Sequence, residues 1–243
     1  MEYKDRFYRK LVEPQKLVGF EICLKETDLH ILAEKNLRDE ALPIIRKYRS
    51  DIEKYGLKYP EFIKTFDPLS FDEDAPDIIK EMLKAGELAG VGPMAAVAGA
   101  VAEFVGKELS KFSKNIIVEN GGDIYMQSDV ERIISIFAAD SPLSMKVGVK
   151  IPPCPNGYGV CTSSATVGKS VSFGKADAVA VLSQSASIAD AAATAICNNV
   201  KNIKTINDGI ETAQNIKGVD GVVIIIKDKM GVWGNINLIK IEN

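Results

Sequence analysis

Two hundred and forty-three residues, 46% apolar and 26% charged, describe a chain that can bury one large core or two small fused ones, which excludes disordered and fibrous classes. A formal charge of −3 without basic blocks argues against a nucleic-acid partner. The start, Met1 to Arg6, lacks an apolar core, and the longest uncharged run, Leu88 to Ala102, is too short for a bilayer and carries Pro93, so a cytoplasmic protein without a membrane partner is expected.

The elements follow in chain order. Leu17 to Leu32 alternates apolar and polar residues around Glu26-Thr27-Asp28 and predicts a hairpin. Asn36 is placed to cap an amphipathic helix from Leu37, closed by Gly56, and the Pro60 to Pro76 connection reads as a loop with a possible seam near 60–76 in an otherwise single domain spanning 1–243. Two helices rich in small residues are expected at 77–89 and 93–110, divided at Gly90-Val91-Gly92-Pro93. The second is apolar nearly all round and must be central, closely approached by neighbouring backbone.

Ile116 to Val118 predicts a buried strand, followed by a glycine turn and a second strand from Ile124. Strands at 133–138 and 145–151 precede a loop of Pro152 to Gly157, and a short strand from Gly159 runs into a hydroxyl-rich turn. A strand over 177–182, a small-residue helix over 187–198 capped by Ser187, a surface helix over 206–216 and a closing hairpin of 219–228 with 232–241 complete the chain. The class is α+β with mostly antiparallel sheets, in two similar halves that each carry a paired-helix layer.

Three constellations carry possible chemistry. Asn120, Gly121, Gly122 and Asp123 offer backbone amides at a strand end without a Cβ in the way, or form an ordinary hairpin turn. Thr162, Ser163, Ser164 and Thr166, followed by Gly168 and Lys169, can cradle phosphate or be a plain surface turn; the P-loop spacing fails because Ser163 stands where its first glycine belongs. Asp190 and Thr194 lie four apart on an alanine-rich helix and suit Mg²⁺, or else Asp190 serves the helix dipole while Thr194 bonds back to a carbonyl.

The single histidine, His30, excludes His-rich zinc sites and reads as a strand residue at the surface. Four cysteines, at 23, 154, 161 and 197, give no disulfide framework. Cys161 reads as a buried core thiol rather than a nucleophile, and Trp233 as core.

Glu119-Asn120-Gly121-Gly122-Asp123-Ile124, Cys161-Thr162-Ser163-Ser164 and Ala189-Asp190-Ala191-Ala192-Ala193-Thr194-Ala195 occur in the order seen in ApbE-like FAD:protein FMN transferases, which the chain resembles over roughly residues 85 to 240. The whole chain looks like a prokaryotic family related to those enzymes, through Lys25 to Leu29, Gly90 to Gly99 and Ser172 to Ala178. The resemblance implies a duplicated T-fold-like architecture. It also implies Mg²⁺ on Asp190 and Thr194, and FAD or FMN near Asn120 to Asp123, Thr162 to Ser164 and Thr166.

A protein acceptor and a homo-oligomer are further expectations, with phosphoryl or FMN transfer from FAD as the leading function. The alternative is a non-catalytic flavin-binding or scaffold module serving a partner enzyme. The chain departs from the transferase pattern in three places. Met94-Ala95-Ala96 stands for its Ala-Lys-Gly, Ala100 or a neighbour for an aspartate, and no His, Asp or Pro occurs from Ala165 to Gly174.

Overall fold

The computed structural model describes residues 16–165 and 173–241. Alternating residues make Val18–Leu24 (β1) a strand that buries Phe20 and Ile22 and leaves Gly19 and Glu21 outside. It turns at Lys25 and Glu26 into Thr27–Ala33 (β2). The predicted turn residues Thr27 and Asp28 instead open β2 and are buried, because Arg49 reaches over to bond Thr27 Oγ1 and Glu26 Oε2 and Lys25 accepts a φ of 54°.

Arg38–Lys58 (α1) begins after Asn36, whose Oδ1 accepts the Arg38 N–H at 3.0 Å. The helix continues through Gly56, where it was expected to stop, since Ile63 of Pro60–Lys64 (α2) packs on that bare backbone. Phe62 and Ala75, from the connection expected to be a loop, are buried in the helical core. Asp77–Ala89 (α3) ends at a left-handed Gly90, and Pro93–Ala96 forms one 3₁₀ turn before Val97–Leu109 (α4).

Ile116–Asn120 (β3) and Asp123–Ser128 (β4) form a hairpin, followed by Arg132–Ser135 (β5) and Val147–Ile151 (β6). Cys154–Ser163 (β7) takes in Pro155, Asn156 and Gly157, which were expected in a loop. The β4–β7 register shifts there, and a proline fits a bulge because no ladder N–H is required of it. Ala178–Ser183 (β8), Ala186–Asn199 (α5) and Ile206–Asn215 (α6) follow. Ser185 rather than Ser187 caps α5, its Oγ accepting the Ile188 N–H at 3.3 Å. Val219–Ile226 (β9) turns at Lys227 and Asp228, not at Lys229 to Gly231, into Lys229–Gly234 (β10). The expected closing strand then breaks at Gly234, and Asn237–Lys240 (β11) pairs with β6 instead.

Eight strands run in chain order, β1-β2-β3-β4-β7-β8-β9-β10, every neighbouring pair antiparallel. The helices are inserted between β2 and β3 and between β8 and β9, so each four-strand half of the sheet carries helices after its second strand. They bury one face of the sheet, while the small sheet β11-β6-β5 covers part of the other through Ile134, Val149 and Ile151 against Met126, Val160 and Ala180. Coverage from both sides explains why β8 is buried throughout and apolar from Ala178 to Leu182. Among the described residues, no single helix is long and apolar enough to cross a membrane.

Candidate functional site

The small residues of α4 and α5 let the two helix backbones meet. A Cβ at Gly99 would overlap the Ala186 carbonyl and lie 2.8 Å from Asp190 Cβ, so only glycine permits this crossing. Gly99 meets Ala186 and Asp190, while Glu103, one turn further along α4, meets Ser185 and Ser187; the helices therefore pass in opposite directions. Each delivers a carboxylate to the first turn of the other. Asp190 Oδ2 accepts the Gly99 N–H at 2.8 Å, and Glu103 Oε2 accepts the Ser187 N–H at 3.0 Å with the hydroxyls of Ser185 and Ser187 at 2.9 and 3.1 Å.

The charges at the two ends differ. Glu103, 2% exposed, has Lys107 Nζ at 2.6 Å from its other oxygen. Asp190, 8% exposed, has no basic side chain among its described partners, and a second buried carboxylate, Asp123, lies near enough to feel its charge. Burial, countered only in part by the Gly99 and Ala98 amides, lifts Asp190 to about 7. Asp123 is pushed up by burial first and by the Asp190 charge second, although the Thr162 N–H donates to its Oδ1 at 3.2 Å. One helix terminus thus holds a neutralised carboxylate, the other a surplus of acid.

The sequence-predicted residues fall as follows. Gly121 and Gly122, at φ 72° and 105°, are the two-residue turn of the β3–β4 hairpin, where paired positive φ values match the strand twist. That turn aligns Asn120 with Asp123, and Asn120 Nδ2 donates to the Ala98 carbonyl in the first turn of α4 at 3.1 Å. The Gly122 N–H is committed to Glu119 Oε1 at 2.7 Å and the Thr162 N–H to Asp123, so two amides expected to face an anion are engaged within the protein. Thr162 and Ser163 end β7, next to Ser164, and Gly122 lies beside the Thr162 carbonyl. Thr166, Gly168 and Lys169 lie outside the described residues. Thr194 is half-buried one turn beyond Asp190, and its hydroxyl makes no back-bond to a helix carbonyl of the kind Thr212 makes to Asp208.

Cys161 is fully buried, its Sγ donating to the Ala186 carbonyl at 3.3 Å, and burial holds its thiol well above the usual value. All four cysteines lie within the described residues, and none forms a disulfide. Sequence reasoning missed Glu103, although a lone acid at the end of the uncharged run Leu88 to Ala102 was a visible signal. An open cavity of about 740 Å³ lies at that end of the crossing, lined among others by Lys80, Lys84, Glu103, Phe104, Ser185 and Asp220; none of the predicted residues lines it. Among the described residues no three His, Cys, Asp or Glu side chains converge as a metal cage, so a cation at Asp190 would depend on other oxygens.

A family described as AbpE bacteria matches residues 9–228. A UPF0280 protein of Methanocaldococcus jannaschii is 47% identical over 221 residues, 88% of this chain and 90% of the relative. One from Methanospirillum hungatei is 43% identical over 223 residues, 90% and 89%. Among solved structures, the flavin transferase ApbE from Vibrio cholerae superposes with a TM-score of 0.57 at 13% identity, covering 89% of this chain and 96% of that one. The Pseudomonas stutzeri flavinyl transferase ApbE gives 0.59 at 13% identity, covering 90% and 94%. Identity that low speaks for the fold alone, whereas the matches over nearly the whole chain speak for descent: the chain belongs to the UPF0280 family, and it has the fold of the ApbE flavin transferases.

Proposed function

We propose that this chain binds a flavin nucleotide diphosphate at the first turn of α4 and passes FMN to a serine or threonine hydroxyl of a protein acceptor. The observation that carries the reading is Asp190, a buried carboxylate whose charge reaches the buried Asp123 and which has no basic side chain among its described partners. Such a pair is costly as it stands and favourable once a cation enters. Asp190 and Thr194 would hold Mg²⁺, the remaining oxygens coming from phosphate and water. The ion supplies positive charge against the diphosphate and its departing half.

The protein's own part is placement. A site shared by Asn120 to Asp123, Thr162 to Ser164 and Asp190 is supported by the Thr162 N–H bond to Asp123 and by the charge interaction of Asp123 with Asp190. In the transfer, the acceptor oxygen bonds to the FMN phosphorus, the bond from that phosphorus to the AMP oxygen breaks, and the hydroxyl proton passes to solvent. Met94-Ala95-Ala96 and Ala100, where the transferases carry a lysine and an aspartate, favour a second reading, in which the chain binds the flavin without turnover and serves a partner enzyme.

Chromatography of FAD incubated with the protein separates the two. AMP release that needs Mg²⁺ and is lost in Asp190→Ala supports transfer, with water as acceptor when no protein is supplied. Flavin retained in native mass spectrometry without AMP supports the binding module. Neither flavin nor AMP overturns both.

A further inference from the structure

Two phenyl rings stand in solvent on segments bonded to the helices that carry this site. Phe66 is 62% exposed and Phe173 57%, yet their centroids lie 5.5 Å apart with planes at 75°. Their backbones are firmly held. The Phe66 carbonyl accepts the Gly92 N–H at 2.7 Å, at the turn that leads through Pro93–Ala96 into α4. The Phe173 N–H donates to Asn198 Oδ1 at 2.8 Å, and its carbonyl accepts Lys201 Nζ at 2.6 Å. Gly174, next in the chain, sits against the Cys197 carbonyl too closely for any Cβ, and the Lys175 N–H reaches the Val200 carbonyl at 2.7 Å. A fold that pins two main chains and leaves both rings in water forgoes apolar burial within its reach.

The anchors point back to Asp190 along both helices. Asp190, Thr194 and Asn198 form one ridge of α5, each four residues from the last, which puts Asn198 about 12 Å along the axis from Asp190. Gly92 precedes Gly99 by one 3₁₀ turn and the first turn of α4, also about 12 Å. The two segments that carry the rings are therefore anchored at matching axial distances from the carboxylate. Two rings set nearly perpendicular form a corner: a third flat ring can stack on one and meet the other edge to face.

We propose that Phe66 and Phe173 are the stacking platform for a heteroaromatic ring of the nucleotide whose phosphates lie at Asp190, an assignment that rests on the function proposed above. The rings are exposed, so the double variant Phe66→Ser/Phe173→Ser should keep its melting temperature within a few degrees. With Mg²⁺ present it should bind FAD at least tenfold more weakly and lose the quenching of flavin emission that stacking causes, while inorganic pyrophosphate binds within twofold of wild type. ADP and FMN, titrated separately, show which ring is held by which of the two loses affinity. Should the serine pair not fold, Phe66→Leu/Phe173→Leu keeps the apolar contact without a ring and carries the same expectation. Undiminished FAD affinity in a folded variant overturns the platform and leaves the function standing. Wild-type protein that binds neither FAD nor pyrophosphate overturns the function and the platform with it.

Discussion

At the first turn of α5, Glu103 meets three donors from Ser185 and Ser187 and an ion pair with Lys107; at the first turn of α4, Asp190 meets the Gly99 N–H, has no basic side chain among its described partners, and lies near enough to Asp123 to raise its pKa. Both carboxylates are buried, both come from the opposite helix, and both satisfy amides that a helix start leaves without partners. Among the described residues, only the first has a basic partner. The same device is thus structural at one end and incomplete at the other, and an incomplete buried charge is where a ligand's charge has most effect.

The largest expected effect tests the crossing that both ends share. Gly99→Val drives a branched side chain into the Ala186 carbonyl and should cost about 3 kcal/mol or prevent folding, measured by chemical denaturation. A near-neutral result would mean that the helices can part, and the pairing of the two ends would dissolve. Next comes Glu103→Ala, which strands the Ser187 N–H and two serine hydroxyls and should cost about 2 kcal/mol. Asp190→Ala loses a cap but relieves Asp123, and these opposing changes should leave it within about 1 kcal/mol of wild type. Equal losses in the two variants would make Asp190 a structural residue like Glu103.

Smaller again is a dependence on pH in metal-free protein. Asp190 titrates at about 7 when folded and near the ordinary aspartate value, about 4, when unfolded. Between those values the folded state holds more protons than the unfolded one, so stability is fullest below the window and falls as pH rises through it. The melting temperature should decline by a few degrees from pH 5 to pH 8; because buried Asp123 is raised as well, Asp190→Asn should lessen that slope and Asp190→Asn with Asp123→Asn should flatten it, whereas an unchanged slope in both variants would place the titration elsewhere. The least effect is expected from Cys161→Ser, whose hydroxyl can still donate to the Ala186 carbonyl: flavin affinity should stay within about threefold. A complete loss with the fold intact would give the thiol a part in binding.

Much of this was legible in the chain. The helices expected at 77–89 and 93–110, the second of which starts as a 3₁₀ turn, the strands around Ile116, Ala178 and Val219, and the antiparallel class follow from apolar periodicity and from Gly and Pro positions, which act locally. The i, i+4 spacing of Asp190 and Thr194 and the Gly121-Gly122 turn were equally plain. Turn positions were less so. Thr27 and Asp28 look like turn residues, yet Arg49 from α1 ties that corner down, and Pro155 looks like a loop residue, yet the β4–β7 register shift accommodates it.

The sequence by itself determined the residues of the proposed site: an aspartate and a threonine on a helix of alanines, a glycine turn flanked by acids, and a single histidine that leaves no room for two-imidazole chemistry. Only the tertiary structure decided that Asp123 lies within reach of the Asp190 charge, that Glu103 mirrors Asp190 across the helix crossing, that Phe66 meets Phe173, and that the last strand leaves the large sheet for the small one. These are relations between residues some 60 to 110 positions apart. Local propensity carries no information about them; they arise when two helices, packed on one sheet face through small residues, bring distant side chains within bonding distance.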